Sequence, residues 1–593
     1  MLRISFLQIY KDMEMRMKAN KLSILFVLVL PFITKTNCST PRLTIIMVVD
    51  QFAYHYLYKL APFFTDGFRS LLNEGIVFEN AHYPHAVPET SIGHTVLNTG
   101  TFAKDHGIIG NAWVDQNGKE VECDDADPKI AAVFGCGCNM HPYGKSSANI
   151  LVDGLSDQFV MKSQANTPNL AFSLSMKSRS AIATATKLGK AIWMDKETGL
   201  FTSSKAYFDA VPTWLTQFND KYKLDTLQSV SWALRYPRTS PAYQFKHIEN
   251  YAFAAEKISA IGREKVVSLC ANPQDHHKEP FAAVYESPLG NHILFDLART
   301  CVKTHVTKNN HVLIWLCLTP LDLVGHHYGP DSLEAIDLLY HLDKELKSFM
   351  QDMQRTVGKN NVLFALTADH GVMQMQGILK EEGIKTAFKI PLQNVISELN
   401  AVIKKKYNID SLIINYQPPQ FYCDQKKKSQ IEPQTYDLLV KDIKEYLMNK
   451  PGIKSVWTYH ELDILPLDPK QQELEYYYKN QRYPGRSGDI FVQPHPYALL
   501  TAYPDGTSHA SPYNYDTHVP LIIYQKGKFE RKKVLQKVYM TQFANTMAQI
   551  LQIPKPSASV AQLLPGVFEP VEKVPEEPAV QAASTSQIAS EAK

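Results

Sequence analysis

An α/β sandwich on a central, mostly parallel β-sheet, with helices on both faces and cap insertions, is the fold this sequence predicts. Three observations support it. Apolar runs of strand length recur along the chain, near residues 43–49, 180–186, 312–318, 362–367 and 519–524. Amphipathic stretches separate them, as at 331–354, where apolar residues return at helical spacing. Strands that alternate with helices build parallel sheets, because a crossover must carry the chain back to the same edge. Finally, three of the apolar runs end abruptly in oxygen and nitrogen donors.

The first run, LTIIMVVD, ends in Asp50. The run VLIWLCLTPLDLVGHHYG carries Asp322 and His326 just beyond its apolar part, and NVLFALTADHGV stops at Asp369-His370-Gly371. In open α/β sheets the ligand crevice lies outside the carboxyl ends of the strands, so donors at three such ends meet in space. A single Asp-His pair would be read as a cap beside a structural histidine. Three converging sets point to a metal, and mixed Asp and His donors suit zinc.

At the N-terminus Arg16, Lys18 and Lys21 precede the apolar stretch LSILFVLVLPFI and the polar TKTNCST, the order of a secretory signal. Residues 1–38 are expected to be that signal, with translation starting at Met15 or Met17. An apolar core of about a dozen residues is short of the roughly 20 that a bilayer span requires. The catalytic domain is expected over 39–569, with cap or lid inserts near 200–308 and 424–485, both rich in Tyr, Pro, Lys and Gln with weak periodicity. Residues 570–593, mostly Pro, Glu, Ala and Ser, have little to bury and are expected to be disordered.

With 45% hydrophobic and 20% charged residues in 593, the chain can bury one large core or two moderate ones. A net charge of +3 is too mild for a nucleic-acid partner, and the short basic runs at 404–406, 426–428 and 531–533 are scattered. Cys270, Cys301 and Cys317 fall in apolar surroundings as core thiols. Cys123, Cys136, Cys138 and Cys423 read as loop-borne, and one or two disulfides are expected among them in an oxidising compartment. GKS at 144–146 is not a P-loop, because Asn139 stands where a glycine is required.

After Asp50 comes HYPHAVPETSIGHTVLNTGTFAKDHGIIGNAW. Pro88 breaks the chain and a helix is expected from Ile92, placing the Thr90 or Ser91 hydroxyl at its N-terminus. There, backbone N–H groups and the helix dipole favour an anion.

Here the chain resembles the alkaline phosphatase superfamily, in its phosphodiesterase and nucleotide pyrophosphatase branch. That branch places its nucleophile in Thr-x-x-Asn/Gly-His, matched by Thr90-Ser91-Ile92-Gly93-His94, and its phosphoryl-binding asparagine on Asn111. The stretch SLSMKSRS resembles the Ser-x-Lys-x-Arg segment of the phosphate-insensitive bacterial alkaline phosphatases, with Lys177 and Arg179 as the phosphate-contacting pair. Read as strand residues i and i+2, the two cations would share one face. A monoester dianion carries more charge than a diester, so that pair favours monoesters.

The resemblance spans Thr44 to about Pro554. It implies two zinc ions, one held by Asp50, Asp369, His370 and Thr90, the other by Asp322, His326 and a late histidine, with His509 preferred to His518. It implies an alkaline-phosphatase-like sandwich and a periplasmic or secreted, monomeric enzyme. Small phosphate monoesters would be hydrolysed through a covalent phospho-threonine. A diesterase or nucleotide pyrophosphatase is the alternative. Ser91, beside Thr90, stays the second candidate nucleophile.

Overall fold

The computed structural model describes residues 40–568, except 136–142, 197, 223–228, 247–264, 269–280, 467 and 469–470. The expected signal and tail, together with Cys136, Cys138 and Cys270, lie outside these residues. Ten strands form the main sheet. In chain order they are β1 (Leu43–Val49), β2 (Ile76–His82), β3 (Asn169–Ser175), β4 (Lys190–Met194) and β5 (Phe201–Thr202), then β6 (His311–Leu318), β7 (Val362–Thr367), β8 (His518–Tyr524), β9 (Lys532–Val534) and β10 (Val538–Tyr539). Their order across the sheet is β9-β2-β8-β7-β1-β6-β3-β4-β5, with β10 also paired to β2.

The middle of the sheet, β7-β1-β6-β3-β4, is parallel, and β8 runs against β7. Every residue of β1 is buried, as expected for a strand covered on both faces. Register aligns the strand ends. Val48 pairs with Thr367 on one side and Cys317 on the other, and Cys317 pairs with Ser175. The chain therefore leaves β1, β3, β6 and β7 at one edge, and everything just beyond those ends is brought together.

Helices α1 (Thr90–Thr99) and α2 (Ser178–Ala185) pack on each other over one side of the sheet. Helix α3 (Pro288–His305) packs against β6 and the long α5 (Leu333–Val357), while the short α4 (Pro320–Tyr328) follows β6 directly. The run at 180–186, expected as a strand, is part of α2. The actual strand is the preceding β3, which ends at Ser175. Alanine and small residues in SAIATA suit a helix packed closely on another helix, and a short apolar run does not by itself separate strand from helix.

The C-terminal part of the segment expected as the first insert, α3, belongs to the main sandwich rather than to a cap. From that insert, the Trp232 indole (2.7 Å), the Arg235 N–H (2.8 Å) and the Tyr243 hydroxyl donate to buried Asp337 of α5, pinning this part of the insert to the long helix. The second insert has its own core. Strands Ile413–Gln417, Gln420–Cys423, Ile490–Pro494 and Ile453–Thr458 form an antiparallel sheet in that spatial order. Helices Leu392–Tyr407 and Pro433–Met448 close its apolar face through Leu399, Leu439 and Ile443. The unit thus begins well before residue 424.

Cys123 and Cys423 are both free and buried, so the disulfides expected of them do not form. Cys423 lies in a strand rather than a loop, and its N–H is committed to Asp489 (2.8 Å). Cys301 and Cys317 are buried free thiols, as expected. Among the described residues no helix is long and apolar enough to cross a membrane.

Candidate active site

Asp50 is the first residue after β1, and its N–H donates to Leu318 O at the end of β6 (3.0 Å). Asp369 and His370 follow β7. Asp322 and His326 sit one turn apart on α4, and a carboxylate and an imidazole at i and i+4 share a helix face. His326 Nε2 lies 3.1 Å from Asp322 Oδ1. His509 arrives from a loop, with its ring stacked on that of His370 at 3.6 Å. Ligand atoms of Asp50, Asp369 and His370 lie within 4.8 Å of one another, as do those of Asp322, His370 and His509.

The three histidines are oriented alike. Nδ1–H of His326 donates to Thr507 O (2.8 Å), that of His370 to Gly371 O (3.0 Å) and that of His509 to Pro88 O (3.0 Å). A carbonyl only accepts, so each Nδ1 carries a hydrogen and each Nε2 is the end turned toward the cluster, the orientation that metal-bound imidazoles adopt. Burial, with His370 and His326 alongside, pushes the His509 pKa well below the usual histidine value, and burial also lowers that of His370.

Asp50 is the least neutralised of the three carboxylates. Burial first, then the negative neighbours Asp322 and Asp369, raises the Asp50 pKa well above the ordinary range. Asp50 Oδ1 and Asp369 Oδ2 are buried without a hydrogen-bond partner. Two orphaned carboxylate oxygens and three imidazoles that each turn Nε2 toward the cluster fit a divalent cation and the donor chemistry of zinc.

Thr90 is the first residue of α1, so the helix begins two residues earlier than expected and Glu89 is its N-cap. Thr90 Oγ1 lies 3.4 Å from His370 Nε2, at the edge of the donor cluster and at the positive end of the helix dipole. Ser91 is used otherwise, since its hydroxyl donates to Gly110 O (2.8 Å). Its N–H donates to Asn111 Oδ1 (3.0 Å), which leaves the amide NH₂ of Asn111 as the end available to an anion. The Asn111 N–H in turn donates to Glu89 (2.8 Å). Burial raises the Glu89 carboxyl pKa to about 7, against Asn111 and Arg179, which both lower it.

Lys177 and Arg179 do not share a strand face. Lys177 caps α2 and Arg179 lies in its first turn, so the chain changes from extended to helical between them. They converge because that turn sits at the sheet edge. Lys177 Nζ lies between Asp50 Oδ2 (2.6 Å) and Asp322 Oδ2 (2.5 Å), while Arg179 feels Cys123, Asp50 and Asp322 electrostatically and keeps a buried Nε without a partner.

Residues 44–519 match the type I phosphodiesterase / nucleotide pyrophosphatase family. The chain belongs to that family. It is 30% identical over 556 residues to alkaline phosphatase PhoV of Synechococcus elongatus, covering 90% of this chain and 94% of the relative. It is 28% identical over 543 residues to alkaline phosphatase PafA of Elizabethkingia meningoseptica, covering 89% and 95%. The crystal structure of wild-type alkaline phosphatase PafA superposes with a TM-score of 0.77 at 27% identity, covering 89% of this chain and 98% of that one.

Within this family member, His518 lies apart from the cluster. Its Nε2 donates to Glu79 O (2.9 Å) and its ring stacks between Tyr54 and His82. Three residues at the site carried no role in the sequence reading. Gln51 contacts two of the carboxylates. His94 Nδ1 lies 2.7 Å from Thr90 O and 3.3 Å from Asp369 Oδ2. Glu89 holds Asn111. The only sequence signal for each was adjacency, to Asp50, to the Thr-x-x-Gly-His motif and to Thr90.

Proposed function

We propose that the chain is an alkaline phosphatase that hydrolyses small phosphate monoesters, with Thr90 as nucleophile, in the periplasm or outside the cell. The full-length similarity to PhoV and PafA, both named alkaline phosphatases, supports the activity. One observation carries the assignment of the nucleophile: a hydroxyl at a helix N-terminus lies 3.4 Å from an imidazole of a buried Asp/His cluster, while the neighbouring Ser91 hydroxyl is committed to a carbonyl.

Asp50, Asp369, His370 and Thr90 would hold one zinc, and Asp322, His326 and His509 the other. When bound, the ions supply Lewis-acid stabilisation of the attacking and departing oxygens. Thr90 Oγ forms a bond to phosphorus as the bond to the ester oxygen breaks, releasing the alcohol and leaving a phospho-threonine. Water then forms a bond to phosphorus as the Thr90 Oγ–P bond breaks, which releases phosphate and restores the hydroxyl. Two in-line displacements retain configuration. The Asn111 amide and the Lys177 and Arg179 cations stabilise charge on the non-bridging oxygens, the main demand of phosphoryl transfer.

The test compares kcat/KM on p-nitrophenyl phosphate and on its diester, for the native chain and for Lys177→Ala/Arg179→Ala. A monoester preference that collapses in the double variant is expected. A diester preference indifferent to both substitutions would assign a phosphodiesterase instead. Thr90→Ala is expected to keep its zinc and to lose turnover by at least about 10³-fold, on the scale of losing a nucleophile. Substantial residual activity would move the nucleophile to Ser91.

A further inference from the structure

Gln51 combines features that a filler residue would not need. It directly follows Asp50, is fully buried, and adopts φ 66°. A non-glycine residue in the left-handed region is strained, and such strain persists where the surroundings over-determine it. The turn aims both polar ends of the residue at the carboxylates. The Gln51 N–H donates to Asp369 Oδ1 (3.1 Å), and its Nε2 donates to Asp322 Oδ1 (2.9 Å). A carboxylate only accepts, so the amide nitrogen must face Asp322.

The rest of the amide is held sterically. Gly325 of α4 leaves room for it, since a Cβ there would fall 1.7 Å from Gln51 Oε1. Oε1 itself has no hydrogen-bond partner. One residue thus touches a ligand from each half of the donor cluster, residues 271 and 318 positions away in the chain.

We propose that Gln51 is a positioning residue that sets the orientation of Asp322 through its side chain and of Asp369 through its backbone, and so tunes the two metal sites separately. The proposal rests on the two-zinc reading above. The two bonds differ in what a substitution can remove. A side-chain change deletes the bond to Asp322 and leaves the N–H bond to Asp369, so the Asp322/His326/His509 site should weaken alone. Groups in this position around metal ligands typically govern affinity by about 10–100-fold.

Zinc binding is measured by chelator competition on the full chain, native, Gln51→Ala and Gln51→Met. Methionine keeps most of the volume and, like alanine, neither relieves nor adds to the strain at positive φ. Thermal melts and circular dichroism report folding, and Gln51→Met keeps the test valid if the alanine variant does not fold. The native chain is expected to bind two zinc ions, and the Gln51 variants to bind one of them at least 10-fold more weakly, with the other within about threefold. In a His326→Ala background, which removes that site, Gln51→Met should leave the remaining zinc unchanged. Two unchanged affinities, or equal weakening of both, would overturn the positioning role while leaving the metal reading intact. A native chain that binds no zinc would overturn the two-zinc reading and this proposal with it.

Discussion

Gly93 lies one helical turn after Thr90, where α1 crosses the backbone that carries Asp369 and His370. A Cβ at Gly93 would fall 2.1 Å from Asp369 O, a backbone atom with little freedom to move. The glycine in Thr-x-x-Gly-His is therefore a contact requirement: only a hydrogen lets α1 sit against the end of β7. Gly93→Ala should push α1 outward and displace Thr90 from His370. A displacement of about 1 Å costs about 10²-fold in rate when geometry is tightly set. A drop of that order in kcat/KM on p-nitrophenyl phosphate, with zinc retained, is the expected outcome, and near-native kcat/KM would rule out this contact as a determinant. Asp50, Asp322, His326, Asp369 and His370 could be singled out at this scale because each lies at or just beyond the end of an apolar run, whereas His509 rested on the family resemblance. Gln51 could not, because its partners lie hundreds of positions away.

Among the elements, the strand termini bring the site residues together and buried polar groups fasten the inserts to the sandwich. Asp337 is the clearest hub, a fully buried carboxylate that serves Trp232, Arg235 and Tyr243. Asp337→Ala would leave buried donors unpaired, and each such group costs about 1–3 kcal/mol. A loss of about 3 kcal/mol or more in a urea melt is expected, with faster proteolytic cleavage in the 229–243 segment than in the native chain. A shift under 1 kcal/mol would mean that other contacts hold the insert. Element type was read correctly where the pattern was long or strongly apolar, as in β1, β6, β7 and α5. It failed at 180–186, where small residues carry little periodic contrast and the choice of helix came from packing against α1. The Lys177/Arg179 pair was placed at the right site by the wrong geometry, since their meeting depends on a strand-to-helix turn.

For the whole molecule, stability should depend on pH through histidines buried away from the site. His85 is 1% exposed, both ring nitrogens lack a hydrogen-bond partner, and burial lowers its pKa to about 3. Between pH 6.5, the ordinary value, and about 3, the unfolded chain holds a proton that the native ring refuses. The stabilising contribution is therefore full above pH 6.5 and is lost as pH falls toward 3. His85→Leu removes this proton uptake, so the slope of unfolding free energy against pH in that window should become shallower by up to about 1.4 kcal/mol per pH unit. An unchanged slope would show that His85 is not titrated on unfolding.

The cap meets the sandwich at the segment that carries Asn111. Arg486 donates to Gly107 O (2.6 Å) and Asn149 O (2.8 Å), and Gln481 donates to Ile109 O (2.7 Å). The sequence by itself determined the fold class and the strand ends that bear Asp and His donors, because both are written in local periodicity and chain direction. Tertiary structure alone decided that Thr90 rather than Ile92 opens the helix and that Cys123 and Cys423 stay apart. It also decided that Gln51 bridges two carboxylates and that the second insert takes in the helix Leu392–Tyr407. These outcomes depend on which distant backbones approach within hydrogen-bond or van der Waals distance, and packing at that range leaves no periodic trace in the chain.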